Sequence, residues 1–246
     1  MNQALPVAAA TVLFMASAPV RPETSSAEQR FRELYKELVE TNTSLSAGSC
    51  TLAAERMAAR LKAAGFTDDE LHLFTAPGHP REGGLVAIYP GRNAKLKAIL
   101  LLAHLDVVEA KREDWTRDPF TLVEENGNFY ARGAVDDKAE GAIWVDTLVR
   151  FREQNYRPLH TLKLALTCGE ETSGALNGAQ WLTQNRRDLI DAGFAINEGA
   201  RGELDAGGDR VVLEVQAGEK TSQNYRLEVT NSGGHSSLPV KDNAIY

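Results

Sequence analysis

Five short segments of this 246-residue chain carry side chains that could hold a cation or move a proton. The first is His104-Leu105-Asp106. Residues two apart on extended backbone point to the same side, so imidazole and carboxylate can address one target. An Asp beside a ligating His fixes its tautomer and raises its basicity. Taken alone, the motif reads more plainly as a histidine satisfied by its neighbour. The second segment is Arg132-Gly133-Ala134-Val135-Asp136-Asp137-Lys138. Asp136 could be shared by two cations, because a carboxylate offers two oxygens, while helix N-caps are the plainer alternative. The third, Gly169-Glu170-Glu171, sets two acids just past an apolar run, which is costly without a compensating positive group. Adjacent side chains diverge by about 180° on a strand or 100° on a helix, so the two cannot do the same job. One can ligate a metal while the other takes a proton from water; the alternative is a pair of helix-start acids. Asn197-Glu198-Gly199 and Gly233-Gly234-His235-Ser236-Ser237 complete the series. His72, His79 and His160 have no acids beside them at a strand end and read as surface or structural.

Together the segments form an ordered set of oxygen and nitrogen donors without thiolate. Such a set suits Zn2+, with Co2+ or Mn2+ as alternatives, and a bridging Asp suits two ions about 3.5–4 Å apart.

The elements that must position these residues follow from hydrophobic periodicity. Residues 26–42 and 51–64 read as amphipathic helices. Residues 77–84, with two Pro and three Gly, read as a turn-rich connection. Continuous apolar runs at 85–89 and 98–102 read as strands covered on both faces, and 162–167 as another buried strand. Helices are expected at 138–152 and 175–186, with a short strand at 194–196. The fold class is therefore α/β, with a mixed, largely parallel sheet and helices on both faces. Each of the five candidate segments is then expected to follow the end of an apolar strand, where open α/β sheets place their ligands. Residues 211–215 and 225–229 alternate apolar and polar, which predicts strands with one wet face and a change of layer or domain.

Composition narrows the classes. The chain is 43% hydrophobic and carries 34 acidic against 27 basic residues, a net charge of −7. That is an ordinary globular composition, and the acidic balance with no basic stripe argues against nucleic acid as a partner. Two cysteines exclude a disulfide-built scaffold and a cysteine-built zinc module. Cys50 before a helix and Cys168 within an apolar strand each carry no reading of compartment. Residues 4–18 form an alanine-rich apolar run of about 15 residues, shorter than the roughly 20 that a spanning helix needs. Ala16-Ser17-Ala18 has the small-x-small form of a signal-peptidase site. Residues 1–20 are therefore read as a signal peptide and the protein as periplasmic or secreted, with a cytoplasmic protein bearing an N-terminal extension as the alternative.

In its motif order the chain resembles the co-catalytic dizinc metallopeptidases, which include glutamate carboxypeptidase, aminoacylase, acetylornithine deacetylase and succinyl-diaminopimelate desuccinylase. The resemblance rests on Leu102-Ala103-His104-Leu105-Asp106-Val107-Val108, Trp115 with Asp118-Pro119-Phe120, and Tyr130-Ala131-Arg132-Gly133-Ala134 leading into Asp136-Asp137-Lys138. Glu170-Glu171, Asn197-Glu198-Gly199 and Gly234-His235-Ser236-Ser237 with Pro239 continue it. It implies that His104 and Glu198 hold one zinc, Glu171 the other, and Asp136 bridges them. Asp106 would orient His104, and Glu170 would be the general base. The peptide after the bridging Asp is commonly cis in the family. His235 would belong to a lid domain and reach a partner subunit's site to stabilise the developing oxyanion.

The resemblance further implies metal-assisted hydrolysis of an amide bond in small peptides or N-acyl amino acids, of the carboxypeptidase or deacylase type. Residues 21–217 would be the N-terminal part of the catalytic domain. Residues 218–246 would begin a smaller α+β lid through which the protein dimerises. A further zinc-ligand histidine, borne by a C-terminal return of the catalytic domain in the family, has no counterpart here, so the chain is expected to be part of a longer enzyme. Val135, Ala139 and Leu238 depart from the usual residues of the family. The other readings are an inactive fragment or metal-binding module, and a related dizinc aminopeptidase, against which the setting of His235 argues.

Overall fold

The structure is a computed structural model that describes residues 26–172, 175–215, 217–218, 221, 223–235, 237–238 and 241. The expected signal at 1–20 lies outside these residues, as do Ser236 and Pro239. The chain divides into two compact units, Met1–Glu198 and Gly199–Tyr246, a division that falls before the 217/218 boundary read from the sequence.

The first unit is a five-stranded mixed sheet. In chain order its strands are β1 (Leu71–Ala76), β2 (His79–Tyr89), β3 (Ile99–His104), β6 (Leu162–Thr167) and β7 (Phe194–Ile196), and their spatial order is β1-β2-β6-β3-β7. A separate exposed hairpin, β4 (Val123–Glu125) and β5 (Asn128–Tyr130), lies between β3 and β6 in the chain. Strands β3, β6 and β7 are parallel, whereas β1 and β2 run antiparallel to their neighbours. Helices α1 (Ser26–Glu40), α2 (Cys50–Ala63) and α3 (Lys138–Glu153) cover one face; α4 (Gly178–Asn185) and α5 (Arg187–Ile190) cover the other.

The unbroken apolar runs are explained by this two-sided burial. Leu101, Ala103, Leu164 and Leu166 point into the α1–α3 core, while Leu100 and Ala165 point into the smaller core around Leu182 and Leu189. Such strands are apolar at nearly every position, since each fully buried Leu or Val gains about 1.5–3 kcal/mol over its exposed form; Lys163 in β6 is an exception, its Nζ donating to the Asp188 and Asp191 carbonyls at 2.9 Å.

Several boundaries differ from the sequence reading. Residues 77–84 are mostly strand: β1 and β2 form a hairpin, and β1 itself was not anticipated. Gly78, at φ +82°, makes the hairpin turn, whereas Gly83 and Gly84 serve close strand approach. A side chain at Gly84 would collide with the Leu166 carbonyl and the Phe74 ring. Strand β3 runs on to His104, two residues past its expected end. The single helix expected at 175–186 starts later, at α4, because the Asn177 side chain accepts from the Gln180 amide at 2.8 Å and caps it there.

The second unit contains a hairpin of β8 (Gly202–Leu204) and β9 (Arg210–Leu213). Its turn is organised by Asp205, whose Oδ1 accepts the amides of Gly207 and Asp209 at 2.8 and 2.9 Å. Residues 225–229, expected as a strand, form none. An alternating pattern supplies an apolar face but no hydrogen-bonding partner, and Leu227 is 95% exposed. Among the described residues no helix is long and apolar enough to cross a membrane.

The two cysteines, unread as a pair in the sequence, are disulfide-bonded across 118 residues with Cα atoms 6.0 Å apart. The bond joins the first residue of α2 to the residue that follows β6. The available signal was that the chain has two cysteines and no others.

Candidate metal centre

Parallel pairing brings distant segments to one edge of the sheet. His104 ends β3 and pairs in register with Thr167, the last residue of β6. The chain leaving β6 therefore emerges beside the chain leaving β3, and the Leu105 amide continues the pairing onto the Thr167 carbonyl at 2.7 Å. Strand β7 lies on the other side of β3 and releases Glu198 at the same edge. Asp136 and Asp137 arrive differently, from the turn that starts α3.

His104 is buried, and both ring nitrogens are engaged. Nδ1 lies 3.0 Å from the Asp106 backbone carbonyl and 3.6 Å from its carboxylate. Nδ1 donates to that carbonyl, and Nε2 faces Asp136 Oδ1 at 2.9 Å and Glu198 Oε1 at 3.4 Å, contacts that suit a protonated ring or, with that proton gone, a ligating nitrogen. Donor atoms of His104, Asp136 and Glu171 lie within 4.8 Å of one another, as do those of His104, Asp137 and Glu198. Two overlapping donor groups sharing one imidazole are thus present, with Asp136 the most open to solvent. The Asp136–Asp137 peptide is cis, as the resemblance implies.

Asp106 does more than face His104. Its two carboxylate oxygens accept the backbone amides of Glu170 and Glu171 at 3.3 and 2.9 Å. One buried residue therefore holds the imidazole through its backbone carbonyl and the acid pair through its carboxylate. The turn that lets the chain double back there needs Gly169, at φ +91°, where any side chain would collide with the Leu176 carbonyl.

The plainer readings of the acids do not describe these contacts. Asp137 sits at the N-cap position of α3 but makes no capping bond; its Oδ2 accepts the His104 amide at 3.2 Å. Glu170 and Glu171 precede α4 by several residues, and their amides belong to Asp106. Sequence reasoning missed the supporting roles of Asp137 and Lys138. Lys138 is fully buried and donates to the Thr41 carbonyl at 2.7 Å, just past the end of α1. Its position beside two aspartates at a helix start was the available signal. His79 and His160 are occupied by Glu82 and by the Lys97 carbonyl, away from the site.

The electrostatics call for positive charge. Burial, then the Asp136 carboxylate, pushes Glu171 upward; burial and the acids Asp136, Glu170 and Glu140 do the same to Glu198. Burial and Glu140 raise Asp137 to about 7. Burial alone would lower His104, but Asp106, Asp137 and Glu198 outweigh it and raise the imidazole to about 10. A proton on His104 thus supplies the charge that a cation would bring. Burial lowers Lys138 to about 7, against the pull of Asp106. Among the described residues, His235 lies in the second unit, where its Nδ1 accepts from the Ser237 amide and hydroxyl at 3.2 and 2.7 Å.

The pattern of Peptidase family M20/M25/M40 matches residues 100–246. The chain is 33% identical over 162 residues to the N-fatty-acyl-amino acid synthase/hydrolase PM20D1 of Mus musculus, covering 63% of this chain and 31% of that protein. It is 30% identical over 160 residues to aminoacylase-1A of Rattus norvegicus, covering 65% and 38%. It therefore spans about a third of the length of these curated relatives. Among solved structures, an M20 family metallo-carboxypeptidase, Sso-CP2 of Sulfolobus solfataricus, superimposes with a TM-score of 0.58 at 24% identity, over 72% of this chain and 38% of that one. The di-peptidase Dug1p of Saccharomyces cerevisiae gives 0.56 at 20% identity, over 73% and 41%. Those two likenesses bear on the fold.

Proposed function

Because this chain belongs to peptidase family M20/M25/M40, we propose that it supplies the metal site of a hydrolase that cleaves an amide bond in small peptides or N-acyl amino acids. The observation that carries the reading is the convergence of His104, Asp136, Glu171 and Glu198 at one sheet edge, with pKa values displaced in the direction a bound cation would relieve. Nitrogen and carboxylate donors without thiolate fit zinc, with cobalt or manganese as substitutes. His104 and Glu198 would hold one ion, Glu171 the other, and Asp136 both. When bound, the ions polarise the scissile carbonyl and acidify water.

The chain's own residues do the rest. Nδ1 of His104 donates to the Asp106 carbonyl, which leaves Nε2 free to ligate. Asp106 holds the amides of Glu170 and Glu171, so the acid that ligates and the acid that moves protons keep a fixed separation. Glu170, the more exposed of the two, accepts a proton from the attacking water and delivers it to the leaving amine. His235 is assigned to oxyanion stabilisation from a lid beginning near residue 218 and carried by a partner subunit. Residues 1–20 are assigned to export into the periplasm or beyond.

The test uses the protein expressed at full length. Metal analysis should find two zinc ions per chain, and Asp136→Ala should remove most of both. Retention of two ions by that variant refutes the bridge. Zinc-loaded protein assayed on dipeptides and N-acyl amino acids should release free amino acid; no turnover on either panel would sink the substrate class.

A further inference from the structure

Resting on that metal-site reading, we propose that Cys50 and Cys168 form a redox-modification site, opened by a protein dithiol reductant, that sets the cation affinity of the centre. Three observations place it there. The bond attaches the first residue of α2, a helix packed in the main core, to the residue that precedes Gly169-Glu170-Glu171. Both sulfurs and a carboxylate oxygen of Asp106 lie within 4.8 Å of one another. That carboxylate is the acceptor that holds the Glu170 and Glu171 amides. A crosslink serving stability alone has no need to abut the residue whose carbonyl holds His104 and whose carboxylate holds the acid pair.

The exchange balances. Both cysteines border a small cleft with Asp106, Arg81 and Thr172, and a thiolate of the reductant attacks Sγ of Cys168, which is 6% exposed against 1% for Cys50. The S–S bond breaks and its electron pair leaves on Cys50, where the amides at the start of α2 favour a thiolate that then takes a proton. The second thiol of the reductant attacks the mixed disulfide and frees Cys168. Two electrons and two protons pass to the protein, and the dithiol becomes a disulfide. Each cysteine is now an S–H donor, which a disulfide sulfur is not. These donors compete with the Glu170 and Glu171 amides for Asp106 while the tether to α2 is lost, so the acid pair loosens.

The experiment compares oxidised full-length protein with protein reduced by a phosphine and desalted without air. Each is titrated with Mn2+ alone, free ion being counted by electron paramagnetic resonance. Reduction should weaken binding by about 10–100-fold, the range typical of losing a group that supports metal ligands. Reoxidation should restore it, and Cys50→Ser/Cys168→Ser should match the reduced protein and ignore reductant. Equal affinity in the two forms overturns the proposal, as does a bond that survives reductant under native conditions. Loss of helical circular dichroism on reduction would make the bond a folding staple and equally overturn it. If oxidised protein binds no Mn2+, the metal-site reading fails first and this proposal falls with it.

Discussion

Glu170 and Glu171 are neighbours held by one carboxylate, yet only Glu171 falls in a donor group with His104 and Asp136, and the proposed function gives the two different work. Their amides are fixed by Asp106 while their side chains leave the backbone in different directions. At the residue scale this predicts that Glu170→Gln lowers turnover by about 10²–10⁴-fold while zinc content stays near that of the parent, since only proton transfer is removed. Metal analysis beside kcat checks it; equal loss of zinc would make Glu170 a ligand. The imidazole supplies a second prediction. With His104 raised to about 10, metal-free protein carries a proton there at neutral pH that ligation must displace. Its folded value lies above the unfolded one, so this group stabilises the metal-free fold fully below its ordinary pKa and loses that contribution as pH rises toward 10. Metal uptake at pH 7 should release protons, and affinity should climb with pH. Calorimetry in buffers of different ionisation enthalpy reads the proton count, and a count of zero contradicts the assignment.

At the scale of elements, the end of α3 is fastened by one arginine. Arg152 Nη2 contacts both oxygens of Glu70 at 2.8 Å, and its guanidinium lies 4.2 Å from the Phe66 ring centroid and 4.9 Å from that of Tyr89. Burial alone would raise Glu70, but Arg152 and the Thr67 amide outweigh it and hold the carboxyl below its ordinary range. A lowered folded pKa means stability present above the unfolded value and lost as pH falls through the folded one. Arg152→Met should cost about 1.5–3 kcal/mol at neutral pH, the scale for losing a hydrogen bond to a charged group. That difference should shrink on acidification below pH 4. Urea titrations at the two pH values check it, and a pH-independent difference would assign the effect to ring packing instead. Strands β3 and β6 were legible because burial on both faces makes their segments predominantly apolar, and helix α3 because its apolar residues recur at helical spacing. Strand β1 and the outer half of β2 were not. Their pairing depends on partners, and the glycines that permit close approach look like turn residues in a list.

For the whole molecule, the disulfide closes a loop of 118 residues, enough for the chain-entropy model to give it substantial weight in the unfolded state. Cys50→Ser/Cys168→Ser should lower unfolding stability by about 2–5 kcal/mol. Denaturant titration of the parent with and without reductant should give the same difference, and a smaller one would mean that the unfolded ensemble is already compact. The motif series with its order pointed to oxygen and nitrogen donors and to candidate residues at strand ends, because those depend on side-chain chemistry and period. What converges on what was decided by tertiary structure. The register of His104 on Thr167, the hold of Asp106 on two amides, the turn of Asp137 toward the His104 amide and the pairing of Cys50 with Cys168 all join residues far apart in the chain. Periodicity and spacing describe each segment's own faces. Which faces meet is chosen by the packing of the whole sheet and its helices, a choice that no single segment encodes.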